Sequence, residues 1–342
     1  MDNVRQYRGT WVFLVPISNL RLTQAVNHEF RIDQINFVGA EKLPRIRKRL
    51  GIPKPISHYQ RDGVLGGFFS SQCFATIQRT GKLSDLEEPV LELIREELAI
   101  LAVSQLIFKH RHQISSLSIS DETPRGTRSY LAINRSNKSW RRPSELLGGS
   151  DSLWLDGHWK HFSREAFFTQ LLKIINGQIK VADSWQRDLR NAAIFAGQSQ
   201  STLDVPQAFL WNMIALELLL TRREDKISTV LPNRVKAFLG WVGFWEVSEF
   251  EQWIETIYKK RSALVHSGCR DQISRQDVLF TDHLLFNLFI NIVEHHKIFK
   301  SKDAVIEFSR KVEAEHLLGI DAKTRPKTLR YMSRVPSMTD SR

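Results

Sequence analysis

Between residues 163 and 318 apolar side chains recur every three or four positions, whereas between 10 and 150 they gather in short runs rich in β-branched and aromatic residues. The short runs 10–17, 30–39, 71–78 and 129–134, bounded by Gly, Pro, Asn or Ser, predict strands. One long helix interrupts them: Ser84 and Glu87 have capping-box spacing, and the run from Pro89 to about His110 keeps helical periodicity. The N-terminal part is therefore expected to be an α+β domain.

From Ser163 onward every element reads as helix. Phe167, Leu171, Ile174 and Ile175 form one stripe, and Trp185, Leu189, Ala192, Ala193 and Ala196 a second. The stretch from Gln207 to Leu220 follows Pro206 and is apolar on nearly all sides, which predicts a central buried helix whose lone acid, Glu217, needs a partner. A fourth helix is expected from Pro232 to about Val242. Ser248 and Glu251 space a capping box for a fifth that ends near Gly268. Ser274 and Asp277 open a sixth, carrying Leu284, Leu285, Leu288, Phe289, Ile292 and Val293, and a last helix should run from about Ser301 to Leu318 with Gly319 as its stop.

Periodicity fails over 136–160, where Pro143 and Gly148-Gly149 punctuate the chain, so the domain boundary is expected there. Trp140, Trp154 and Trp159 in this stretch suit a packed surface better than base stacking. The resulting organisation is an α+β domain over 1–150, an all-α helical bundle over 163–318 and a mobile basic tail over 319–342, with Arg325, Lys327, Arg330 and Arg334 in the tail.

A length of 342 residues agrees with two domains at roughly 100–200 residues each. The excess of 49 Lys+Arg over 37 Asp+Glu, net +12, directs attention to a polyanion, with nucleic acid first. Cys73 and Cys269 are far apart and lack the paired spacing of a zinc site or disulfide framework, as in a reducing cytoplasm. The opening apolar stretch, Trp11 to Ile17 with Pro16 inside it, is too short and poorly flanked for a secretory signal, and no run has the length of a membrane span.

The fifth helix carries the candidate chemistry. Its stripe of Phe250, Trp253, Ile254 and Ile257 continues to Leu264, and Arg261 falls on it. An arginine on a core stripe keeps its charge, so it requires an anion: Glu217 of the central helix, or a phosphate arriving as ligand. His266 follows five positions later, which on an ideal helix is a rotation of roughly 500° and leaves the two side chains about 140° apart. Either the helix unwinds before His266, as Gly268 suggests, or a second subunit completes the site across a two-fold axis.

These residues carry a resemblance. The segment Tyr258-Lys-Lys-Arg261-Ser262-Ala-Leu-Val-His266-Ser-Gly268 resembles the R-x4–6-H signature of HEPN domains, in the form of the Apea-like branch. The helix over 209–220 with Glu217, and the stretch Asn233-Arg234 to Leu239, agree with it, so that the resemblance covers about 165–300. It implies a HEPN-like helical bundle that works as a homodimer on RNA without metal or cofactor, with Arg261 and His266 catalytic and Glu217, Ser262 and Arg234 supporting. It also implies products with a 2′,3′-cyclic phosphate and a 5′-hydroxyl, and a setting as a regulated toxin or anti-phage effector. Ser262 departs from the Asn, Asp or His that many nuclease members carry after the arginine. Arg21 with His28, and Arg310 with His316, satisfy the same spacing but lack the helix terminus, the following Ser-Gly and the upstream acid.

The chemistry needs little else. RNA supplies its own 2′-hydroxyl nucleophile; a histidine can move the proton and a guanidinium can hold phosphorane charge. His158 with His161, His110 with His112, and His295 with His296 lack a further ligand at metal spacing, and no phosphate-binding glycine loop, dinucleotide turn or nucleophile elbow occurs. Two other classes remain open: a bundle that binds RNA or a nucleotide without cutting it, and a structural dimerisation domain for which an Arg261–Glu217 pair would suffice.

Overall fold

An antiparallel sheet region followed by a predominantly helical region is the observed architecture, in a computed structural model that describes residues 8–57, 71–109, 117–120, 127–129, 132–133, 140–141, 144–146, 152–239, 247–319 and 329–334. The chain divides into two compact units: 1–98 with 112–160, and 99–111 with 161–342.

In the first unit, β1 (Arg8–Ser18) pairs antiparallel with β5 (Cys73–Lys82) from Arg8 opposite Lys82 to Ile17 opposite Cys73. Beyond β5 lie β4 (Ile35–Gly39) and β3 (Glu29–Ile32), and β6 (Ser118–Ile119) adds to the other edge, giving the order β3-β4-β5-β1-β6. The run expected as one strand over 30–39 is thus two. Asp33 takes φ 44° beside Gln34, so Ile32 faces Ile35 across a two-residue turn, the left-handed geometry a tight hairpin needs. Val38 and Phe74 pack with Leu43, Leu50, Ile52 and Ile56 under the sheet. A short parallel pair joins β2 (Leu20–Leu22) to β11 (Leu153–Leu155), and small two-stranded pieces, β7 (Thr127–Ser129) with β10 (Ser144–Leu146) and β8 (Ala132–Ile133) with β9 (Trp140–Arg141), complete it. Trp159 is buried edge-on against Phe30, Trp154 is exposed beneath the Arg21 guanidinium, and the Trp140 side chain lies outside the described residues.

Helix α1 spans Leu43–Ile46 and α2 spans Leu83–Ala102, starting directly where β5 ends. The capping box expected at Ser84 is not formed: Ser84 is already inside α2 and its hydroxyl donates to Asp85. After Ala102 the chain tightens into a 3₁₀ turn over Val103–Ile107, every residue of which is buried. Residues 99–111, expected in the first domain, therefore belong to the helical unit.

That unit contains α3 (Gly157–Glu165, its first residues counted with the other unit), α4 (Phe168–Ile175), α5 (Asp183–Ser201), α6 (Val205–Leu220), α7 (Ile227–Leu239), α8 (Val247–Ser267), α9 (Arg275–Glu294) and α10 (Lys302–Leu317). The stripes of α4, α5 and α9 read from the sequence are all buried. As expected, α6 is central, packing against α5, α7, α8, α9 and α10; Asp204 caps it by accepting from the Gln207 amide, with Pro206 in the first turn. The Ser274 box forms in full at α9. Helix α7 starts five residues before Pro232, which sits inside it; the expected end at Val242 and the side chains of the Ser248 box lie outside the described residues. Gly197 is where α5 meets the 99–111 piece: a Cβ there would stand 1.7 Å from the Ala99 carbonyl oxygen, so only glycine permits the approach.

The expected mobile tail is corrected over 329–334. Leu329 and Arg334 are buried, because Asn287, Asn291 and Asp282 of α9 offer the segment backbone and charge partners. Arg325 and Lys327 lie outside the described residues. No described helix is long and apolar enough to cross a membrane.

Candidate active site

Helix α8 buries Phe250, Ile254 and Ile257, but Trp253, expected on the same stripe, is 53% exposed and leans on Phe280. At 100° per residue Trp253 stands about 60° round from Phe250 and about 40° beyond Ile257, at the edge of the stripe defined by 250, 254 and 257. Continuing that stripe brings Arg261 to α6, where its guanidinium meets Glu217. Nε lies 3.0 Å from Oε1, and Nη2 donates to Oε2 at 3.2 Å. Both side chains are mostly enclosed, at 17% and 15% exposure.

The pair is incompletely bonded. Nε and Oε1 are close without hydrogen-bond geometry, so one long hydrogen bond carries the contact. Burial, which outweighs the attraction of Arg261, holds the Glu217 carboxyl above the usual carboxylate range. A guanidinium has five donors, and a single carboxylate held at one point leaves capacity for another anion.

The neighbouring Lys260 does the opposite job. Its ammonium donates to both oxygens of Asp277, at 2.8 and 2.7 Å, and thereby ties α8 to the capping box of α9. Burial raises the Asp277 carboxyl, but Lys260 and Ser274 together bring it below its ordinary value. This anchor was not singled out from the sequence; an Asp doubling as capping residue and salt-bridge partner has no distinctive spacing.

Arg234 lies on α7 and reaches the C-terminal end of α6. It donates to Asp225 through Nη1 at 2.5 Å and Nη2 at 3.2 Å, and to the Leu220 carbonyl at 2.6 Å, closing the C-terminal end of the helix that carries Glu217. Among the described residues these are its bonds, which give it a positioning role. Ser262 is half-buried beside Arg261.

His266 is exposed in the last turn of α8. The helix does not unwind before it. It continues to Ser267, and Gly268 takes φ 66° while the amides of Gly268 and Cys269 return to the carbonyls of Leu264 and Ala263. One chain therefore brings Arg261 and Glu217 together but leaves His266 about 140° around the helix. Val265, next to it, is 47% exposed.

Among the described residues no three His, Cys, Asp or Glu side chains stand together as a metal site would need, and His110 and His112 lie outside them. His28 bonds the Leu22 carbonyl and contacts Glu41, and Arg310 is exposed on α10. No family model matches the chain, and neither a curated protein nor a solved structure is similar to it.

Proposed function

We propose that the helical unit is a metal-independent endoribonuclease of HEPN type, acting as a homodimer. One observation carries the reading: Arg261 is a mostly enclosed arginine paired by a single hydrogen bond to a carboxylate that burial has already pushed up. Such a cation is poised to exchange or share its anion with a phosphate. The HEPN resemblance of 258–268 names the phosphate as RNA.

In this reading the 2′-oxygen attacks the adjacent phosphorus and the bond to the 5′-oxygen breaks. One proton leaves the 2′-hydroxyl and one is delivered to the departing 5′-oxygen, His266 being the group that moves it; Arg261 holds the charge on the phosphorane. Because α8 is unbroken, the two roles converge only if a second subunit brings its own α8 across a two-fold axis. The exposed Val265 beside His266 offers apolar surface for that contact. Free Cys73 and Cys269 and the net charge of +12 suit a cytoplasmic protein that meets RNA, with a regulated toxin or anti-phage effector as its setting.

Wild-type and His266→Ala proteins incubated with mixed RNAs in EDTA test this directly. Cleavage by the wild type alone, leaving cyclic phosphate ends and stopped by a single 2′-deoxy substitution at the cut site, is the expected result. A second reading, a bundle that binds RNA or a nucleotide without cutting, is favoured by the divergence of Arg261 and His266 within one chain; equal binding by both proteins with no cleavage would select it.

A further inference from the structure

Residues 329–334 lie along α9 outside any described helix or strand, with side chains of α9 standing where a pairing strand would. Two asparagines take that place. Asn291 accepts from the Arg330 amide at 2.8 Å and donates to the Arg330 carbonyl at 2.8 Å. Asn287 accepts from the Met332 amide at 2.8 Å and donates to the Met332 carbonyl at 3.2 Å. A side-chain amide has the donor and acceptor of a peptide group, so each asparagine reads backbone rather than residue type.

The spacing explains the register. Four residues of helix advance about 6 Å, and two residues of extended chain advance about 6.6 Å. The segment therefore runs antiparallel to α9 with every second peptide over every helical turn. Side chains supply selectivity at the ends: Leu329 is buried, Tyr331 bonds His283 at 2.5 Å, and Arg334 reaches the fully buried Asp282 at 3.4 Å and the Leu106 carbonyl at 2.8 Å. Burial, with Arg334 nearby, holds the His283 imidazole down to about 4, and burial pushes the Tyr331 phenol up to about 12, so that contact is uncharged. Asp282 also accepts from Gln200 of α5 and Asn212 of α6, so the arginine reaches the junction of three helices.

Side-chain amides that bond alternate peptide units, with a charged pocket at one end, can hold an extended peptide by its main chain and select it by its side chains, as an added strand is held at a sheet edge. We propose that α9 carries a peptide-binding groove, and that the chain's own segment 329–334 is its tethered, exchangeable occupant, selected by Leu329, Tyr331 and above all Arg334. The proposal stands independently of the nuclease reading.

The test uses the full chain with a protease recognition sequence placed inside 320–328 and cut after purification, so that the segment stays only by its contacts. A fluorescent peptide spanning 327–336 should then enter the groove saturably. The same peptide with Arg334→Ala should bind at least tenfold more weakly, and an Asn291→Ala protein should bind either peptide poorly. In the uncut chain, the Arg330 and Met332 amides should exchange hydrogen at least tenfold faster than the buried amides of α9, showing detachment without unfolding. Failure of the peptide to bind a cut protein, equal binding of the two peptides, unfolding on cutting, or exchange of these amides only with global unfolding would each make the segment ordinary core and overturn the proposal.

Discussion

Two arginine–carboxylate pairs flank the C-terminal half of α6, and they are built to different standards. Arg234 grips Asp225 with two bonds and closes the helix end at Leu220. Burial raises the Asp225 carboxyl, but Arg234 and the Arg222 amide more than reverse it, so its proton affinity falls below normal. Arg261 holds Glu217 by one bond, and there burial wins. The same two functional groups thus make a finished structural clasp in one place and an unfinished one in the other. In the reading proposed above, the incomplete pairing of Arg261 is what leaves it able to accept an incoming anion, whereas Arg234 is committed to Asp225 and Leu220.

The sharpest way to break this contrast is to remove each arginine. Arg234→Ala strands a buried carboxylate and a helix carbonyl and should cost about 3–5 kcal/mol in urea unfolding. Arg261→Ala should cost less than half as much, because Glu217 can take up a proton, while RNA cleavage falls by about 10²–10³, or ~2.7–4 kcal/mol in the barrier. Equal losses of stability would erase the distinction. Arg261→Lys should keep the fold yet recover little of the rate, since an ammonium is a point donor without the bidentate fork; full activity in that variant would show that charge alone suffices.

The smallest expected effect is one of sign, read by comparing each wild-type carboxylate with its amide across pH 3–7. Glu217 has a raised folded pKa, so just above 4.5 the folded state binds more protons than the unfolded one, and its contribution becomes less favourable as pH rises. Asp225 has a lowered folded pKa; below about 3.8 the unfolded state binds more protons, and its stabilisation is lost as pH falls. Relative to Glu217→Gln the wild type should therefore gain stability on acidification. Relative to Asp225→Asn it should lose it. Slopes of the same sign would mean that the two pairs are not different in kind.

Much of this was legible in the order of residues. The stripes on α4, α5 and α9, the central α6 and the Ser274 cap are local patterns that periodicity reports, and Arg261 with Glu217 followed from asking where a charge on an apolar stripe finds its counterion. Other features depend on distant chain and left weaker traces. Pro232 marked a helix start on paper, yet it lies inside a helix that begins at Ile227. Asn287 and Asn291 were visible as polar residues one turn apart in an apolar helix, but their meaning required a segment some forty residues away. The asymmetry between Arg234 and Arg261 is a matter of angles and tenths of an ångström, and sequence carries none of that.

The discontinuity of the helical unit has a consequence for how the chain is made. Gly197 of α5 is shaped to the backbone at Ala99, and the buried turn at 103–107 lies against α5 and α9, yet 112–160 belongs to the other unit. During synthesis the first piece of the helical core leaves the ribosome long before the partners that will cover it. Bringing them together across that insertion costs about 3.5 kcal/mol of chain entropy by the logarithmic law for flexible loops, less if 112–160 has already folded and shortened the span. From this topology we expect the sheet-bearing unit, whose chain is complete by residue 160, to condense before the helices that cover 99–111 have been made. A fragment beginning at residue 161 would lack that piece and should expose the α5 face around Gly197 as a sticky, aggregation-prone surface.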